Sequence, residues 1–237
     1  MKKIKADILI HAWVDYGLDS KKGKASFKHL NSIHDTFASR TRNYDFIFVL
    51  CCFIVDTIQI IEIFEWRNLN DKEKQAIFLF YKNVGERMRL VNCPNSIEEV
   101  YSIVHKYTES ELDSKLTVSR DVFTDAITKL VEKWYSRLIP PLITRSLVNA
   151  ILYIVGGETF HQKLGLKKPS VVPLYTVYSL AVIRKCLMQF MPPRTTPHCL
   201  SNILMKNIYH CPATNSSFSS VGPPEVIAHI VKDKKGE

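Results

Sequence analysis

The side chains best suited to ligand chemistry in this sequence are eight histidines and six cysteines. One local pattern looks like a ligand set, His198-Cys199 with His210-Cys211. Adjacent ligands on one stretch of backbone rarely converge on a single tetrahedral ion, and the spacing is not that of a Cys-x-x-Cys site. It is therefore not read as a zinc centre. His34 stands in a different setting, the helical segment His29–Phe37, directly before the most apolar run of the chain. A neutral imidazole offers one lone pair to a metal, and its other nitrogen must donate elsewhere. The Leu30 carbonyl, one turn back, is a candidate acceptor that would fix the tautomer. Phe46, Phe48 and Phe53 are candidate apolar walls for a flat pocket. From the residues alone, a satisfied structural histidine is the simpler reading. No G-x-G-x-x-G, Walker-type or G-x-S-x-G motif is present, and only eight glycines occur. That disfavours dinucleotide, phosphate-loop and nucleophile-elbow chemistry.

The elements that must hold these residues read as helices throughout. The first covers residues 2–16 and stops at Gly17. Residues 17–24 look like a polar loop, and a helix follows from Ala25 to Ser39. Asn43-Tyr44-Asp45 opens a long apolar helix ending near Trp66, with Asp45 suited to cap it. It is apolar on most faces, so neighbours must cover more than one side. Asp45, Asp56, Gln59 and Glu62 interrupt the run, which otherwise approaches the roughly 20 apolar residues of a membrane span. It is read as a buried core helix.

Asn70 with Glu73, and Asn95 or Ser96 before Glu98-Glu99, are capping signatures for the next two helices, ending near Met88 and Thr108. An amphipathic helix is predicted over residues 119–138. Pro140-Pro141 opens another that ends at Gly156-Gly157, and a last apolar helix runs from Pro173 to Phe190. No period of two is sustained. The fold class is all-α: a single multi-helix domain over residues 1–193 with a buried central helix, then an irregular basic tail over 194–237.

Three blocks of sequence carry a resemblance. The first is Lys28 to His34. The second is Asn43 to Leu50, followed by Glu65-Trp66-Arg67-Asn68-Leu69. The third is Gly85-Glu86-Arg87-Met88-Arg89-Leu90, then Cys93-Pro94 and Ser96 to Glu99. Their order and spacing, between about Tyr16 and Pro193, resemble the catalytic domain of the MpaB-type oxygenases and the rubber oxygenases (latex clearing proteins). The resemblance implies an all-helical haem b protein. It implies an oxidoreductase that cleaves or oxidises a hydrophobic, isoprenoid-like alkene with dioxygen, with His34 as the proximal iron ligand. Arg87 is then a candidate partner for a haem propionate, against a contact with Asn83 one turn back. Two departures stand out. Arg89 replaces a glycine of the family, and less chain precedes the histidine block, where Lys3, Lys5 and His11 match no family motif. They leave open a degenerate, non-catalytic helical binding protein of the same fold.

Charge and cysteine usage bound the setting. The net charge is +9, yet no acidic residue occurs from Thr159 to Pro224, a stretch holding seven lysines and arginines. Such a stretch suits a peripheral contact with an anionic membrane surface, or a plain solvated face. Without an aromatic–basic recognition motif, no nucleic acid is expected. The N-terminus is a poor signal peptide, and Cys51-Cys52 lie within an apolar run. The chain reads as intracellular, cytoplasmic or peripheral to a membrane, without a transmembrane helix. Asn215-Ser216-Ser217 is a formal glycosylation acceptor that matters only in a secreted chain.

Overall fold

A computed structural model describes residues 6–110, 140–163 and 165–192. The predicted 119–138 helix, the residues of the 194–237 tail and the His198/Cys211 region lie outside these. The described residues contain seven helices and no strand, so the all-α expectation holds. In chain order they are α1 (Ala6–Tyr16), α2 (Lys21–Asp35), α3 (Asn43–Phe64), α4 (Asp71–Arg87), α5 (Ile97–Ser110), α6 (Pro141–Lys163) and α7 (Val171–Phe190). They fall into two compact units. Of the described residues, the first takes those up to Phe46 together with Asn83–Asn92, and the second takes Ile47–Lys82 and those from Cys93 to residue 192.

In the first unit α1 and α2 pair. α1 stops at Gly17, whose φ of 82° is readily adopted without a side chain. α2 begins at Lys21, four residues before the sequence reading placed it. The cause is Ser20: its hydroxyl accepts from the Gly23 amide at 2.9 Å, capping a Lys-Lys-Gly-Lys stretch that by composition looks like loop. Ser20 also donates to the Gly17 carbonyl at 2.9 Å, which closes the turn. Trp13 stacks on Phe27 with centroids 4.5 Å apart, and its indole N–H donates to the hydroxyl of the fully buried Ser26.

The second unit packs around α3. Ile47, Phe48, Leu50, Cys51, Ile54, Val55 and Ile58 are buried. Phe48 stacks on Tyr107 of α5 at 3.9 Å, and Phe53 on Tyr81 of α4 at 6.0 Å. Arg184 of α7 donates to the Phe64 carbonyl and pairs with Glu65 at 2.9 Å, while Lys185 donates to the Glu62 carbonyl at 2.9 Å. α3 is thus central to this unit, although Val49, Phe53 and Ile60 stay exposed. Among the described residues, two helices are long and apolar enough to cross a membrane, α3 and α7, where the sequence led to none. α3 packs on α4, α5 and α7, and 39% of its most apolar stretch is buried against 17% for α7.

The capping signatures close as expected. Asn70 Oδ1 accepts from the Glu73 amide and Glu73 returns the bond to the Asn70 amide, both at 2.9 Å. The Arg67 guanidinium grips the same carboxylate and, with the Asn70 amide, holds it down near pH about 2. Ser96 caps α5 by accepting from the Glu99 amide at 3.2 Å, and Asp45 accepts from the Arg42 amide at 3.0 Å ahead of α3. α6 does break at Gly157 (φ 77°), but a helical turn resumes and carries it to Lys163.

Candidate functional site

The C-terminal turn of α2 lies where the three sequence blocks meet. All of the contacts that follow fall within the first unit. Asn31 of the first block donates to the Arg87 carbonyl of the third at 3.0 Å. Asn43 of the second block pairs with the backbone of Val91, its amide donating at 2.7 Å and its carbonyl accepting at 3.1 Å. Arg89 of the third block forms an ion pair with Asp35 at 3.0 Å. Residues about fifty positions apart in the chain are therefore held together by side-chain-to-backbone bonds that only short amides at Asn31 and Asn43 can make.

His34 sits in that turn, half-buried, with the Phe46 ring 4.5 Å from its own at a tilt of 35°. Burial pushes its pKa below the ordinary histidine value; the Asp35 charge opposes this and the Arg89 charge adds to it. The imidazole is accordingly neutral at pH 7, the state that carries a lone pair. The bond to the Leu30 carbonyl does not form, so the tautomer is not set that way. Of the three expected walls, Phe46 is beside His34, whereas Phe48 and Phe53 stack on tyrosines of the second unit. One turn before His34, the side-chain amide oxygen of Asn31 is buried and accepts no hydrogen bond from the described residues.

Arg87 shows the contact with Asn83 that the sequence offered as one of two readings, at 3.0 Å to its carbonyl and 3.2 Å to its side chain. Its other nitrogen is held by both oxygens of Asp19, at 2.8 and 3.0 Å. The carboxyl of Asp19 is drawn below its usual range by that pair.

The backbone at Arg89 is of a kind that favours glycine. α4 ends there in a left-handed residue with φ 62°. The Leu90 amide reaches back to the Gly85 carbonyl and the Arg89 amide to the Glu86 carbonyl, both at 3.0 Å, a Schellman closure whose left-handed position favours glycine. A side chain there costs roughly 1 kcal/mol. Arg89→Gly is therefore expected to be about 1 kcal/mol more stable than Arg89→Ala, since both lose the exposed Asp35 pair and only alanine keeps the strain. Paired urea melts check this; alanine equal to or above glycine would show the turn to be unstrained.

Sequence reasoning missed a buried pair in the second unit. His161, 1% exposed, lies 2.9 Å by Nε2 from Asn149 Oδ1, and the Asn149 amide donates to the Lys167 carbonyl at 3.0 Å. With the amide so oriented, Nε2 carries the proton, and burial pushes the His161 pKa down. Tyr153 meets the ring edge-on at 5.2 Å. These bonds satisfy a core histidine and tie the 165–170 loop to α6. Reading Gly156-Gly157 as a helix end hid them.

Among the described residues no group of three or more His, Cys, Asp or Glu is placed to share a metal ion. On donor chemistry His34 would fit haem b, because a neutral imidazole with an open lone pair is a ligand that haem iron accepts. Fold and site together define an all-α protein with a half-buried, neutral histidine at the meeting point of three helix ends. Comparison with protein-family models, with curated proteins and with solved structures finds no match to the chain.

Proposed function

We propose that the chain is a haem-dependent oxygenase-like protein, with His34 as the single protein ligand of the iron. The observation that carries this reading is the meeting of the three resemblance blocks around one neutral, half-buried histidine. The left-handed backbone at Arg89, where the family has glycine, supports it independently. When bound, haem b would supply the activation of dioxygen for oxidative cleavage or oxidation of an alkene. The chain's own residues hold and shape. His34 keeps its lone pair at neutral pH, Phe46 gives it an aromatic flank, and the Asn31 and Asn43 bonds fix the end of α2 against the turn after α4. The substrate class in this reading is a hydrophobic, isoprenoid-like alkene, matched to apolar walls.

One observation favours a second reading, a non-catalytic helical binding protein of the same fold. The guanidinium groups of Arg87 and Arg89 are engaged by Asp19 and Asp35, so neither stands ready for a haem propionate. The absorption spectrum after haemin is added separates the two. A Soret band in the parent that is lost or shifted in His34→Ala supports iron ligation by His34. A folded, helical parent with no Soret band sinks the haem reading and leaves the binding protein.

A further inference from the structure

α7 has one covered face and one open face. Pro173, Val177 and Ala181, four residues apart, are buried where α6 packs against the helix. At 100° per residue, Val172, Tyr175, Val182, Ile183 and Phe190 fall on the opposite side, and all five are exposed, Phe190 by 87%. The two charges of α7, Arg184 and Lys185, point away from this side and are taken up by the end of α3. The open face is therefore uncharged along about 30 Å of helix. Apolar stretches of that extent are rarely left in water.

Charge says what covers it. Lys167 is exposed just before the helix, while Lys168 beside it is paired with Glu158 at 3.0 Å, and no acidic residue follows Glu158 until after Pro224. A second copy of a chain of net charge +9 would bring the same positive charge to the contact and be repelled. An anionic lipid surface complements it. Tyr175 and Tyr178, in the turns next to these lysines, are of the type that settles at headgroup level. We propose that α7 lies in the interface of an anionic bilayer, with its outward face among the acyl chains and Lys167 at the headgroups. This does not rest on His34, and His34→Ala is expected to behave as the parent does.

The test is flotation of the full chain with vesicles of phosphatidylcholine alone and with phosphatidylserine added. The parent should partition at least about fivefold better to the phosphatidylserine vesicles, and Lys167→Glu should lose about that factor. The double variant Val172→Asp/Ile183→Asp should lose at least about tenfold. Its far-UV circular dichroism and melting curve check that it folds. Lys167→Glu, at an exposed position, keeps the test decisive if the double variant does not fold. Equal flotation on both vesicles, or variants that float as the parent does, would overturn the proposal. So would a parent that stays in solution as a dimer that Ile183→Asp dissociates, which would assign the face to a second copy.

Discussion

Gly23→Ala should destabilise the protein by about 2–3 kcal/mol, although helix propensity alone predicts the reverse. Gly23 lies inside α2 with ordinary helical geometry, where alanine normally adds about 1 kcal/mol. Here a Cβ would meet the Gly17 carbonyl oxygen and lie 2.6 Å from that of Leu18. Both are backbone atoms of the tight turn that Ser20 closes from either side, so neither yields without opening the turn. Opening it also loosens the Ser26 hydroxyl, which donates to the Gly23 carbonyl at 2.7 Å and accepts from Trp13. Gly17→Ala is the informative comparison: at φ 82° it is strained, but a Cβ there meets nothing within 4 Å, so the loss should stay near 1 kcal/mol. Urea melts followed by circular dichroism and by tryptophan fluorescence give both values. A Gly23→Ala protein as stable as the parent would mean that the turn does not press on α2.

Phe78→Ala should cost about 3–5 kcal/mol, a large share of the 5–15 kcal/mol that holds a typical domain. Phe78 is 1% exposed and is the largest fully buried side chain among the described residues. Its removal leaves a cavity, so both transfer free energy and packing are lost. Its neighbour Leu79, about 100° further round α4, is 47% exposed, and Leu79→Ala should cost less than about 1 kcal/mol. Denaturant melts of the two variants measure the contrast directly. Similar losses at both positions would mean that the face of α4 is misassigned.

The ends of the helices were legible because the interactions that make them are local. Asn70 with Glu73, Ser96 with Glu99 and Asp45 with the Arg42 amide each span three residues, so residue type and spacing suffice. Gly17 ends α1 for an equally local reason, its left-handed φ. The beginning of α2 was misread although its cap is local, because Lys-Lys-Gly-Lys has the composition of a loop and Gly23 is there for a contact with Gly17 and Leu18. The reading of Gly156-Gly157 failed for a related reason. One left-handed residue breaks a helix, but whether a turn resumes beyond it depends on what is packed there, in this chain His161 against Asn149 and Tyr153.

Residue type and spacing were enough to show that the chain is all-α, where most helices stop, and that His34 lies on a helix just before the long apolar one. These follow from periodicity and from caps a few residues long. That the His34 helix ends at Asp35 and not at Ser39 was not legible. Long-range contacts set which aromatic stands beside His34, engage Arg87 and Arg89 with Asp19 and Asp35, and leave the Leu30 carbonyl out as the imidazole's acceptor. The same contacts leave α3 packed on three neighbours with Val49, Phe53 and Ile60 exposed, and one whole side of α7 open. Composition cannot distinguish those two helices, because both are long and apolar. The difference lies in contacts between residues far apart in the chain, and pairings of that kind leave no local pattern to read.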